Sequence, residues 1–237
     1  MSDQDIELWV YHRAAHEEPI EQAYKAFTAK MAQIDSPLGF RGLDLPPAPN
    51  CEEQLRCSVE FEHPSIPDLK FQIAYIDRSP AYKYKDRSRF DDVFRIGFKA
   101  PNAKLDYKKI LREEFSKVIE AFQAYRAIVG FGDYDGLYRG GYERKNPIFN
   151  ELQKSGLDMD GRDNIFTIQP AQFWDTQLCT QALGYEPSEV ISRLQGKVPE
   201  IERLMDGVYI VFNDDPDITY EDFVEMNNRI KPMLDLR

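Results

Sequence analysis

Apolar and polar positions alternate along Ile6-Glu7-Leu8-Trp9-Val10-Tyr11-His12, a run rich in β-formers, and predict a strand. Pro19 then opens a helix, where its fixed φ and missing N–H do no harm. Ile20, Ala23, Tyr24, Phe27, Met31 and Ile34 recur at three and four residues and make one apolar face. Prolines 37, 46, 47 and 49 rule out regular structure over 35–54. Two strands are expected at Leu55–Glu62 and Leu69–Asp77, joined across Pro64 and Pro67. A basic connection over Arg78–Arg89 follows, then a strand through Val93, Phe94, Ile96 and Phe98 that ends at Pro101.

Asp106 is a good N-cap for a second long helix, along which Leu111, Phe115, Val118, Phe122 and Tyr125 keep helical spacing. The glycines of Ile128-Val129-Gly130-Phe131-Gly132 predict a turn that ends it. Asn146-Pro147 predicts a short helix over Ile148–Gln153, and Asn164–Ile168 a strand stopped by Pro170. Short helices are expected over Phe173–Leu183 and Ser188–Leu194. Val208-Tyr209-Ile210-Val211-Phe212 is a continuous apolar run that suits a central strand covered on both faces. Thr219 with Asp222 three residues on resembles a capping box and opens the last helix, through Ile230. Strands and helices intersperse without regular βα alternation. The expected class is therefore α+β: a mixed sheet with helices packed on it, one compact domain over 1–237, with a split into two lobes near 100–130 as the alternative.

Composition narrows the class. The 237 residues, 42% hydrophobic and 13% aromatic, supply a core without low-complexity tracts. No apolar run reaches the roughly 18 residues of a membrane span, and Met1-Ser2-Asp3-Gln4-Asp5 is acidic where a signal peptide is basic. Three cysteines, Cys51, Cys57 and Cys179, are an odd number, so no disulfide framework is expected and a reducing compartment fits, with the cytoplasm as the location.

Charge changes the picture further. The net charge of −11 is uneven: −8 over 1–77, +6 over 78–145 and −9 over 146–237. Such a chain is repelled by nucleic acid and anionic membranes and attracts a basic partner. Lys83, Lys85, Arg87 and Arg89 interleave with Tyr82, Tyr84 and Phe90, a pattern that could stack bases. With the rest of the chain at −17, the favoured reading is a basic loop folded on the protein's own acidic surface.

Candidate chemistry is sparse. His12 and His16 have i, i+4 spacing, but they lie at a strand end, so no metal site is expected. Asp158-Met159-Asp160-Gly161-Arg162-Asp163 fails as a calcium loop, with glycine at loop position 4 and Gln169 where the bidentate Glu belongs. Gly130-Phe131-Gly132 fails as a dinucleotide fingerprint. No nucleophile motif is present, and no cofactor and no catalytic residue is assigned. An enzyme with a carboxylate-lined cleft is the alternative class. The segment Glu200–Glu225 holds nine acidic residues and one basic. Its loop leaves the strongest strand, and rigid loops of that kind are where binding residues sit. The expected partner-binding residues are Asp214, Asp215, Asp217, Tyr220, Glu221, Asp222 and Glu225.

Ile6-Glu7-Leu8-Trp9 running into an amphipathic helix, together with Leu183-Gly184-Tyr185 and the tail Asp206-Gly207-Val208-Tyr209-Ile210-Val211-Phe212-Asn213-Asp214-Asp215-Pro216, resembles the bacterial immunity protein 52 family, of the kind associated with type VI secretion. The resemblance covers the two ends of the chain. It implies an α+β protein that binds and neutralises one cognate toxin, a nuclease of restriction-endonuclease type, with Trp9 as the family tryptophan and a family glutamate without an assigned position. No direct nucleic-acid or membrane contact follows from it.

Overall fold

The computed structural model describes residues 4–52, 54–141, 143 and 145–237. The expectation built on the acidic start at Met1-Ser2-Asp3 lies outside these residues. Strands β1 (Gln4–Arg13), β2 (Arg56–Glu62), β3 (Lys70–Ile76), β4 (Asp91–Ala100), β5 (Arg126–Phe131), β6 (Ala171–Trp174), β7 (Glu200–Leu204) and β8 (Gly207–Val211) form one sheet in the order β2-β3-β4-β1-β5-β6-β8-β7. The α+β class stands. Every ladder among the described residues is antiparallel, where the sequence predicts mixed directions.

Helix α1 (Ile20–Met31) and the helix α2 (Tyr107–Lys109), carried through a π turn at Ile110–Glu114 into α3 (Phe115–Phe122), lie on one face. Phe27 of α1 meets Phe94 and Phe122 edge-on at 5.0 and 4.7 Å. The register puts Ile6, Leu8 and Val10 level with Phe98, Ile96 and Phe94 on that side, all buried. The Asp106 carboxylate accepts from the Lys109 N–H, as an N-cap should. Short helices α4 (Tyr134–Tyr138) and α5 (Pro147–Lys154) follow β5. Helices α6 (Thr176–Leu183), α7 (Pro187–Leu194) and α8 (Tyr220–Ile230) gather at the β6–β8–β7 end, α6 and α7 against its strands. The expected capping box at Thr219 and Asp222 is present.

Four expectations are corrected. The segment Ile128–Phe131 is not a turn but part of β5, hydrogen-bonded to β1 through pairs such as Leu8–Val129. Asn164–Ile168 pairs in no strand. The strand there is Ala171–Trp174, at whose end Asp175 caps a helix that starts later than predicted. Val208–Val211 is buried on both faces as expected, yet β7 lies outside it, so it is next to the edge and not central. Finally, Cys51 and Cys57 are joined in a disulfide, and only Cys179 is free and buried. Odd parity leaves one thiol over; it says nothing about the other two. Cysteine usage therefore no longer favours a reducing compartment. No helix among the described residues is long and apolar enough to cross a membrane.

Candidate functional site

The seven acidic-face candidates do fall together, at the corner where β8 turns into α8, but the fold uses them unequally. Asn213 accepts from the Asp215 N–H at 2.7 Å and Asp215 from the Asp217 N–H at 3.0 Å, so the loop is a succession of Asx turns. Asp214 pairs with Arg112 at 2.5 Å and with Lys108 at 3.9 Å, which ties the loop to the helix that starts at α2. Asp222 accepts from the Thr219 N–H and hydroxyl, and these bonds hold its carboxyl below the usual range. Tyr220 is half-buried, edge-on to Tyr134 at 5.6 Å and stacked on Phe223 at 6.4 Å. Phe223 is core. Asp214, Asp215 and Asp222 thus shape the corner. Asp217, Glu221 and Glu225 are exposed and have no ion pair among the described residues. They are the acids that the corner leaves exposed outside its own ion pairs and caps.

A second surface was only partly legible. On the face of the sheet opposite α1 and α3, the β2–β3–β4–β1 half is open to solvent. One row across it reads Glu60, Gln72, Arg95, Trp9, Ile128 and the next Glu62, Lys70, Gly97, Glu7, Gly130. Arg95 pairs with Glu7 and lies 4.8 Å over the Trp9 ring, whose Nε1 donates to Glu7 at 3.0 Å. Trp9 stacks on Tyr11 at 6.2 Å. Lys70 pairs with Glu62 at 3.1 Å, and Gln72 donates to Glu60 at 2.5 Å. A hollow of about 690 Å³ lies over this half, lined among others by Asp5, Glu7, Glu60, Lys70, Arg95 and Gly97. Trp9 stands out in the sequence. Glu7 and Arg95 do not, because only the β1–β4 register brings them together.

The remaining candidates are framework. Asp91 is wholly buried, bonded to Arg162 and accepting from the Tyr125 hydroxyl at 2.5 Å; burial still pushes its carboxyl up to about 6. Neighbouring Asp92 takes both ends of the Arg78 guanidinium, at 2.9 and 2.7 Å. Asp135 is also raised by burial and sits with Arg139 and Asp160. Neither Asp91 nor Asp135 lines the hollow. In the former calcium-loop candidate, Asp158 accepts from Ser88 and Asp160 from the Phe166 and Thr167 N–H groups. His12 Nδ1 meets the Gln123 carbonyl at 2.8 Å. Among the described residues no group of three or more His, Cys, Asp or Glu could hold a metal ion. The basic segment folds back on the protein: Lys83 pairs with Glu17, Arg87 donates to the Gly156 carbonyl, and Tyr82 stacks on Phe90.

No protein-family model matches the chain, and no curated protein matches it in sequence. No family is therefore assigned. Among solved structures it is similar to the Pseudomonas aeruginosa T6SS protein PA0821. The TM-score is 0.50 at 12% identity, over 97% of this chain and 73% of that one. At that identity the likeness shows a shared fold.

Proposed function

We propose that the protein is an immunity protein: it binds a cognate antibacterial toxin, a nuclease in the first instance, and neutralises it by direct contact through the acidic corner. The observation that carries this is the trio Asp217, Glu221 and Glu225, left free on a corner that the neighbouring acids hold rigid. A nuclease presents cations to phosphates, and fixed carboxylates can occupy that site and speed the encounter. The fold shared with a T6SS protein is compatible with a role in that setting. Tyr220 contributes an aromatic edge beside the acids, of the kind that anchors interfaces. A cytoplasmic encounter goes with the nuclease target; the Cys51–Cys57 disulfide counts toward an oxidising compartment instead. The alternative, an enzyme with a carboxylate-lined cleft, draws no support from Asp91, buried in its pair with Arg162, or from Asp135, which is paired with Arg139; neither lines the hollow.

The test is capture from native lysate at low and high salt, followed by an inhibition assay on the partner. The triple variant Asp217→Lys/Glu221→Lys/Glu225→Lys, which spares the cap and the Arg112 pair, is expected to keep its circular dichroism and to lose at least tenfold in affinity. Full inhibition by this variant at physiological salt would refute the corner as the docking face.

A further inference from the structure

The open sheet face carries glycine where a strand favours a branched side chain. Gly97 of β4 and Gly130 of β5 stand on either side of Glu7 in the same row. A Cβ on Gly97 would meet nothing within 4 Å, and one on Gly130 only the Glu7 carbonyl oxygen at 3.9 Å. Neither glycine has a positive φ. Nothing inside the chain therefore requires glycine at these positions, although glycine weakens a strand interior. A strand glycine marks a bulge, a tight bend or the close approach of a ligand or another backbone; the ladders run through Gly97 and Gly130 without a bulge, and at Gly97 none of this chain's own side chains fills the space.

The chemistry of the surroundings says what could approach. The hollow is lined by five carboxylates, on Asp5, Glu7, Glu60, Glu62 and Asp68, against three cations, on Lys70, Arg95 and Lys99. Lys70 and Arg95 are already paired with Glu62 and Glu7. The surplus is negative. Trp9, half-buried beside Glu7, offers an aromatic surface next to it. We propose that this face docks an extended, arginine- or lysine-bearing segment of a partner protein, its backbone lying over Gly97 and Gly130 and its cation against the unpaired acids. This does not depend on the partner being a toxin, and it uses none of the corner residues.

The test exploits the two tryptophans. Trp174 is wholly buried, so a change in emission on adding a peptide reports on Trp9. The probe is a blocked Gly-Arg-Gly-Arg-Gly peptide, with its glutamate counterpart as control, titrated at low salt. The expected result is a saturable change with the arginine peptide only, weakened at least tenfold by Gly97→Val and by the double variant Asp5→Asn/Glu60→Gln, which removes lining acids outside the two ion pairs. Gly97→Val should melt at or above the parent temperature, because it adds a β-former in empty space. Three results would each overturn the proposal: undiminished binding to Gly97→Val, equal binding of the glutamate peptide, or a melting temperature lowered by several degrees in Gly97→Val. Loss of the signal in the triple corner variant would also overturn it, by moving the peptide to the corner. Failure of toxin neutralisation with this titration intact would sink the immunity role alone.

Discussion

Replacing Arg162 by Met probes how much a buried ion pair contributes when burial already opposes the charge. Asp91 is wholly buried, and its carboxyl sits at about 6 despite Arg162 and Tyr125. Between its unfolded value of 3.8 and 6, the unfolded chain has given up this proton while the folded protein keeps it. Stability therefore falls as pH rises through that window and levels off above it. At pH 7 the ionised form lies below the neutral one by about one pH unit, roughly 1 kcal/mol. With Arg162 gone, Asp91 escapes by taking up a proton. The loss tied to its ionisation is thus capped at roughly 1 kcal/mol at pH 7 and roughly 3 kcal/mol at pH 8, and is near zero at pH 5. Any remainder independent of pH reflects lost packing and neutral hydrogen bonds. Urea unfolding of Arg162→Met and parent at the three pH values measures the gap. A constant loss of about 3–5 kcal/mol, the cost of stranding a charge that cannot neutralise, would refute the reasoning.

Further outcomes follow from other features of the fold. Cys51→Ser should cost about 2 kcal/mol in urea unfolding, the entropy of closing a short loop, and reduction of the native protein should add one reactive thiol, the half-buried Cys51, since Cys57 is buried. Cys179, buried and with its thiol pushed up to about 12, should stay silent in the same thiol titration. Thr219→Ala removes the hydroxyl that accepts from the Asp222 N–H and should cost about 1 kcal/mol, whereas Glu221→Lys should change stability by no more than about 0.5 kcal/mol. Phe223→Ala, at a fully buried ring under the acidic corner, should lose about 3–5 kcal/mol by the same measurement. Lys231, lowered to about 8 by burial against Phe166 and Tyr138, destabilises the fold while charged. Stability should therefore rise between pH 8 and 10 in the parent, and that rise should be smaller in Lys231→Met.

Local signals carried most elements. Pro19, Asp106, Asn146 and Thr219 start helices where the chain suggests, because capping is settled within a few residues. Failures came where a partner far along the chain decides. The glycines around Phe131 look like a turn in isolation, yet pairing with β1, more than a hundred residues earlier, makes them strand. Glu200-Ile201-Glu202-Arg203-Leu204 looks like a solvated stretch in isolation; as an edge strand it needs burial on one side only.

The candidate site divides in the same way. Sequence alone determined that acids concentrate after the Val208–Val211 strand, that a tryptophan opens the chain and that the class is α+β, since composition, periodicity and caps are properties of short segments. Tertiary structure decided which acids are free. Arg112, 102 positions before Asp214, takes that carboxylate, and Asp222 is drawn into its own cap, leaving Asp217, Glu221 and Glu225 exposed. It also set Gly97 and Gly130 beside Glu7, a juxtaposition that depends on strand register alone. A charge or a gap becomes available to a partner only after the fold has taken its own share, and that share is settled by contacts between residues distant in the chain.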